Sequence, residues 1–402
     1  MTQHDLSFEH LQRQIDLSWA CIWNHFYLPK THLVYDQLTS LEKGHEYDCF
    51  PTPEEVRRSE PNVCGWGTGM DDSATGGGVM LSMICDRYAV AAGPEMHEAA
   101  REIFLGLKAC AAIHGVRGFV ARSICPADGK SVYLNTSRDQ YTHFVHGFWK
   151  LYRSPLADAE MKKTIPEVVA DIALSMEKHV TPENGYCAAM LDGRPAQAVC
   201  EMWGLDTLYP QEAARLPMIY AAAWRMTGDR HFRELCCKYL RPAAEHSCRL
   251  FPGPANAFAL LQMACSLELL LETLPEEQEC MDLCRKAMYA AAECARYNEV
   301  RATEIFNQQA GVIPAFTDWR KSERITCCGL SIPEQPAHKV QPERDMGQAA
   351  LVQLMAPGYS FPESQKILLK QMIARSDFAY IPGNGPMYLQ AAYWRLLRDL
   401  MF

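Results

Sequence analysis

The sequence has no run of about 18 consecutive apolar residues, the length a membrane-crossing helix needs. It also has no basic cluster. The net charge is −9, and a nucleic acid or an anionic membrane surface is held by a positive footprint that this chain does not offer. The opening Met-Thr-Gln-His-Asp-Leu6 lacks a basic start followed by an apolar stretch, so a cytoplasmic location is expected. No H-E-x-x-H, no C-x-x-C and no G-x-G-x-x-G between a strand and a helix occurs, so neither a metal nor a nucleotide cofactor is expected. The 17 cysteines are an odd number, scattered through helical patterns at Cys236, Cys237, Cys265 and Cys294, which suits reduced packing thiols better than a disulfide framework.

What is present is ordinary for a protein with a large core: 48% apolar and 22% charged residues. Phe8, Leu11, Ile15, Trp19, Ile22 and Phe26 fall at spacings of three and four, the period of one helical face. The same pattern predicts helices near 72–92, 95–113, 138–153, 158–179, 210–227, 229–248, 254–273, 276–298, 342–355, 362–375 and 386–401. From 95–113 onward, alternate members carry one charged face, as with Glu160, Lys162, Lys163, Glu167, Asp171, Glu177 and Lys178; the others are apolar nearly all round, as with Phe258-Ala-Leu-Leu-Gln-Met-Ala-Cys265. Outer and inner helices therefore alternate. Thr164-Ile-Pro-Glu167, Thr273-Leu-Pro-Glu276 and Ser360-Phe-Pro-Glu363 read as recurring outer-helix starts.

Inner-to-outer turns are short, whereas 27–70, 114–137, 180–209 and 299–341 are long, and each precedes an inner helix. They gather at one end of the assembly, where inner-helix N-termini favour negative or hydroxyl-rich ligands. Gly118–Arg122 and Ser131–Leu134 predict a small β-hairpin through Asp128-Gly129 at that end.

Twelve helices in six hairpins, with long loops over the inner N-termini, resemble the six-hairpin (α/α)6 glycosidase superfamily along essentially the whole chain. The resemblance implies an all-α toroid forming one domain over 1–402, acting on an oligosaccharide or small sugar. Within that group, unsaturated uronyl hydrolases carry acidic residues just before inner helices. Asp71 and Asp72, after Gly65-Trp-Gly-Thr-Gly69, and Asp139 match that placement.

Glycoside hydrolysis needs two carboxyls about 5–10 Å apart, a gap that neighbouring helices with axes about 8–10 Å apart can span. The expected roles give proton donation to Asp139 and water positioning to Asp71 or Asp72. Arg138 and Arg122 would hold an anionic group, and Trp66, Trp203 and Trp319 would stack on sugar. Asp139 has a competing reading, because Ser137 and Gln140 form an S-x-x-Q capping box and an acid in a first turn complements the dipole. For Asp71 or Asp72 the competing reading is a side-chain cap on their helix. His143 and His146 share a helix face as acid–base or hydrogen-bonding groups. Arg138, Tyr141 and His143 would serve a lyase, histidine pairs an epimerase, and a non-catalytic sugar-binding toroid is the third class. Asp206, Arg344 and Asp345 complete the candidates: Arg344-Asp345 opens its helix as Arg138-Asp139 opens another. Gly76-Gly-Gly78 is unfavourable in a helix by about 1 kcal/mol per residue, which close packing or ligand approach would explain.

Overall fold

The computed structural model describes residues 6–309, 312, 316, 318–334 and 341–401. Its helices are α1 (Phe8–Cys21), the short α2 (Pro53–Arg57), α3 (Ser73–Val90), α4 (Pro94–Ala112), α5 (Arg138–Arg153), α6 (Ala159–His179), α7 (Arg215–Thr227), α8 (Arg230–Ser247), α9 (Ala257–Thr273), α10 (Gln278–Gln308), α11 (Pro342–Met355), α12 (Glu363–Arg375) and α13 (Gly385–Met401). α1 runs on into a π turn, Ile22–Phe26.

Amphipathic patterning places each helix. On α6 the buried residues Met161, Ile165, Val169, Ile172, Ala173 and Met176 form one stripe, and Glu160, Lys162, Lys163, Glu167, Glu177 and Lys178 stay exposed. α9 is buried on most sides, and Asn256 caps its start by accepting from the N–H groups of Phe258 and Ala259. The inner helices α3, α5, α7, α9, α11 and α13 touch in succession, and α13 closes back on α3. α1, α4, α6, α8, α10 and α12 pack outside them. The chain is an (α/α)6 toroid whose core lies between the two rings.

The glycine run has a packing cause. A Cβ on Gly78 would lie 2.1 Å from the carbonyl oxygen of His143, and one on Gly147 would lie 2.6 Å from that of Gly78. α3 and α5 therefore cross backbone to backbone at this pair.

Several expectations are corrected. The runs 118–122 and 131–134 form no ladder with each other. Asp128 does turn the chain, accepting from the N–H groups of Lys130 and Ser131, but flanking backbone groups pair elsewhere: Ala74 N–H with the Arg122 carbonyl, and Leu191 N–H with that of Leu134. Among the described residues the two-stranded antiparallel ladders are β1 (Tyr27–Leu28) with β2 (Leu33–Val34), and β3 (Arg324–Cys327) with β4 (Leu330–Pro333). The repeated outer-helix start also fails, since α6 begins at Asp158, whose side chain caps it, and Pro166 lies inside the helix. Residues 299–308 continue α10 instead of opening a loop. Of the expected loop 299–341, residues 310, 311, 313–315, 317 and 335–340 lie outside the described residues.

Candidate active site at the ring mouth

At the end where the inner helices begin there is a cavity of about 790 Å³, lined from six places. Asp36 and Gln37 come from the loop after β2, and Asp71, Asp72 and Thr75 from the start of α3. Residues 254–258 precede and open α9, Tyr297, Asn298, Arg301 and Glu304 lie on α10, and Arg344, Asp345, Gln348, Asn384 and Tyr388 lie at the starts of α11 and α13. The volume falls within the about 300–1,000 Å³ of small-molecule clefts.

The acidic cluster is held by the backbone of the glycine loop. Asp36 Oδ1 accepts from the N–H groups of Asp71 at 3.2 Å and Asp72 at 3.3 Å. Asp71 Oδ2 accepts from the Gly67 N–H at 3.3 Å. Gly67 has φ +89°, and a Cβ there would lie 2.6 Å from the Pro333 ring, so both the turn and the hairpin above it require glycine. Arg122, 2% exposed, donates from Nε to the Asp71 carbonyl at 2.8 Å and from Nη2 to Asp72 Oδ1 at 2.7 Å. Gln140 Nε2 donates to the same Asp72 oxygen at 2.5 Å, and its Oε1 accepts from the Thr75 N–H at 3.2 Å.

Burial, reinforced by the charge of Asp72, pushes the Asp36 carboxyl up to about 7. Burial raises Asp71 well above the carboxylate range; the charges of Asp36 and Asp72 add to this, against the opposing pull of Arg122. At neutral pH this pair retains a proton, the condition a general acid needs.

The other candidates fall in different places. Asp71, Asp72, Arg344 and Asp345 share the cavity, the last two 3.4 Å apart. Asp139 is absent from the lining and forms an ion pair with the buried Arg215. Burial would raise its carboxyl, but Arg215, Arg138 and Arg122 outweigh burial and hold it below the ordinary value, the wrong direction for a proton donor. The capping readings give way as well. Ser137 and Asp72 make no side-chain cap, because Gln140 and Asp72 are bonded to each other.

Arg138 is taken by Glu201 at 3.1 Å and by Glu212. Tyr141 is buried, with its hydroxyl donating to the Gly118 carbonyl at 3.3 Å. His146 bonds Glu268 at 2.8 Å, and His143 Nδ1 lies 3.8 Å from Cys265 Sγ. Both histidines border a separate cavity of about 20 Å³ inside the ring. Trp66 lies under the Arg122 guanidinium at 5.3 Å, Trp203 packs against Tyr239 at 4.7 Å, and Trp319 is buried beneath Arg320. Asp206 is exposed. The aromatic residues that do line the cavity are Phe258, Tyr297 and Tyr388.

Sequence reasoning missed Asp36, which has no local pattern around it, and the α10 wall of Asn298, Arg301 and Glu304. Among the described residues, one group brings three potential metal-ligand atoms within 4.8 Å of one another: Cys187, Cys200 and Glu201, on the loop before α7.

No family profile matches the chain, and neither does any curated protein sequence. Solved structures do resemble it. The cellobiose 2-epimerase of Spirochaeta thermophila superposes with a TM-score of 0.51 at 13% identity, covering 98% of each chain. A D-mannose isomerase gives 0.50 at 9% identity over 99% of this chain and 100% of that one. These likenesses establish the fold: the chain is an (α/α)6 toroid. No helix of the described residues is long and apolar enough to cross a membrane.

Proposed function

We propose that this chain is a carbohydrate-active enzyme that hydrolyses a glycosidic bond in a small or uronic-acid-containing oligosaccharide at the mouth cavity. One arrangement carries the reading: the buried carboxyls of Asp36 and Asp71, both pushed up by burial, side by side in a cleft of substrate size. Cleavage needs a proton for the leaving oxygen and a carboxylate on the other side of the sugar. The Asp36–Asp71 pair supplies the proton. Asp345, which starts α11 and borders the same cavity, positions the attacking water. Asp72, tied to Arg122 and Gln140, positions the acidic loop.

An anionic sugar suits the cations that remain available. Arg122 and Arg138 are occupied by acidic partners, whereas, among the described residues, Arg301 has no ion pair and Arg344 meets only its neighbour Asp345. Both line the cavity. Phe258 and Tyr297 offer apolar faces to sugar C–H groups.

The rival reactions need groups that sit elsewhere. An epimerase built on His143 and His146 would have to reach the second, smaller cavity, and a lyase using Tyr141 would need a hydroxyl that is bonded within the core. The test is incubation with saturated and unsaturated uronic-acid oligosaccharides in heavy-oxygen water, with products read by mass spectrometry. Hydrolysis gives shorter products carrying one heavy oxygen. Unsaturated, unlabelled fragments would indicate a lyase, and products of unchanged length an epimerase; either overturns the reading.

A further inference from the structure

Cys187 and Cys200 lie on the loop between α6 and α7. This loop folds back on itself through antiparallel bridges Cys187–Glu201 and Ala189–Pro195. The Ala188 N–H meets the Cys200 carbonyl at 3.1 Å and the Met202 N–H meets that of Tyr186 at 2.9 Å. Just before Cys200, Ala198 and Val199 take φ +53° and +44°, a left-handed pair without glycine that bulges the returning strand. The two sulfurs end 2.9 Å apart.

That distance decides between readings. It is shorter than the about 3.5–4.0 Å of non-bonded packing and longer than the about 2.05 Å of a disulfide bond. It is also shorter than the roughly 3.8 Å that two thiolates keep on a tetrahedral zinc with metal–sulfur bonds of about 2.3 Å. Glu201, the third potential ligand, is already bonded to Arg138 at 3.1 Å, and a metal would compete with that guanidinium. Cys187 is partly exposed and Cys200 is buried, the arrangement of an attacking and a resolving thiol. The hydrogen bond from Cys200 also holds the Cys187 thiol below its ordinary value, which enriches the nucleophilic thiolate.

We infer that Cys187 and Cys200 form a dithiol–disulfide modification site that exchanges with low-molecular-weight disulfides of the glutathione class. The Cys187 thiolate attacks one sulfur of the small disulfide, whose S–S bond breaks and releases one thiolate. Cys200, giving its proton to solvent, then attacks Cys187 Sγ and expels the second thiolate. Two protein thiols are oxidised to one disulfide, and one small disulfide is reduced to two thiols. The cross-link fastens the folded-back loop and with it Glu201, the partner of Arg138 beside Asp139 at the start of α5.

The test equilibrates the full chain in glutathione buffers of rising oxidised fraction, traps free thiols with iodoacetamide and maps the peptides by mass spectrometry. The expected result is a Cys187–Cys200 cross-linked peptide that exceeds half occupancy while the exposed Cys237 remains mostly alkylated. In Cys200→Ser, glutathione should instead accumulate on Cys187; in Cys187→Ser, Cys200 should stay a thiol. Alkylation of Cys187 and Cys200 in step with Cys237 across all buffers would overturn the inference. So would stoichiometric zinc binding by the wild type that is lost in both variants and protects the pair from alkylation without a cross-link.

Discussion

Asp36→Asn should make the protein more stable in alkaline solution while disabling it. Asn keeps the carbonyl oxygen that accepts from the Asp71 and Asp72 N–H groups, so the loop keeps its geometry. What changes is the ionisation. The Asp36 carboxyl moves from an ordinary 3.8 to about 7 in the folded protein; at about 1.4 kcal/mol per tenfold this corresponds to about 4 kcal/mol. Because the folded value is raised, this stabilisation is fully present below the unfolded value and is lost as pH climbs through the folded one. Between pH 5 and 8 the wild type should lose about 2–3 kcal/mol that the variant does not lose. Removing the charge also relieves Asp71, with the same sign. For a chain of this length the difference amounts to about 3 °C in Tm. Denaturation of both proteins at pH 5 and pH 8 measures it. Parallel losses in the two proteins would refute the claim that Asp36 is buried and protonated.

Asp139→Asn leaves the 2% exposed Arg215 without its anion and should cost about 3 kcal/mol in urea denaturation; a catalytic acid would instead lose turnover with stability unchanged. Gly78→Ala should destabilise by about 3 kcal/mol, because its methyl group meets the α5 backbone. Gly76→Ala, whose Cβ finds ordinary contacts at 3.5 Å or more, should gain up to about 1 kcal/mol from helix propensity. Arg301→Ala and Arg344→Ala should each raise KM for uronate-bearing substrates roughly tenfold, the worth of a charge-assisted hydrogen bond, and leave neutral sugars unaffected in steady-state assays.

The helices were legible because each writes its buried stripe locally: Met161 through Met176 on α6 needs no distant partner to be read. Loop lengths pointed to the inner N-termini, where the cavity lies, and Asp71, Asp72, Arg344 and Asp345 were legible as candidates because they open helices. Asp139 opens a helix too, yet its behaviour is fixed by Arg215, which is distant in sequence and reaches it only once α5 and α7 are neighbours. Gln140 read as a cap for the same reason: its partners, Asp72 and the Thr75 N–H, belong to α3. Asp36 follows a two-residue strand with no periodicity around it, and its importance comes from burial and from contacts with the distant Asp71 and Asp72. The last turns of α10 were invisible because Arg301 and Glu304 line a cavity and leave no continuous apolar stripe.

The most direct test is the cleavage rate of an accepted oligosaccharide by the wild type, Asp71→Asn and Asp345→Asn, with folding of each variant checked by circular dichroism. Carboxyls acting as acid and base at this cavity predict that each variant loses at least about 10²-fold in kcat. Folded variants that cleave at the wild-type rate would place the chemistry elsewhere and contradict the account.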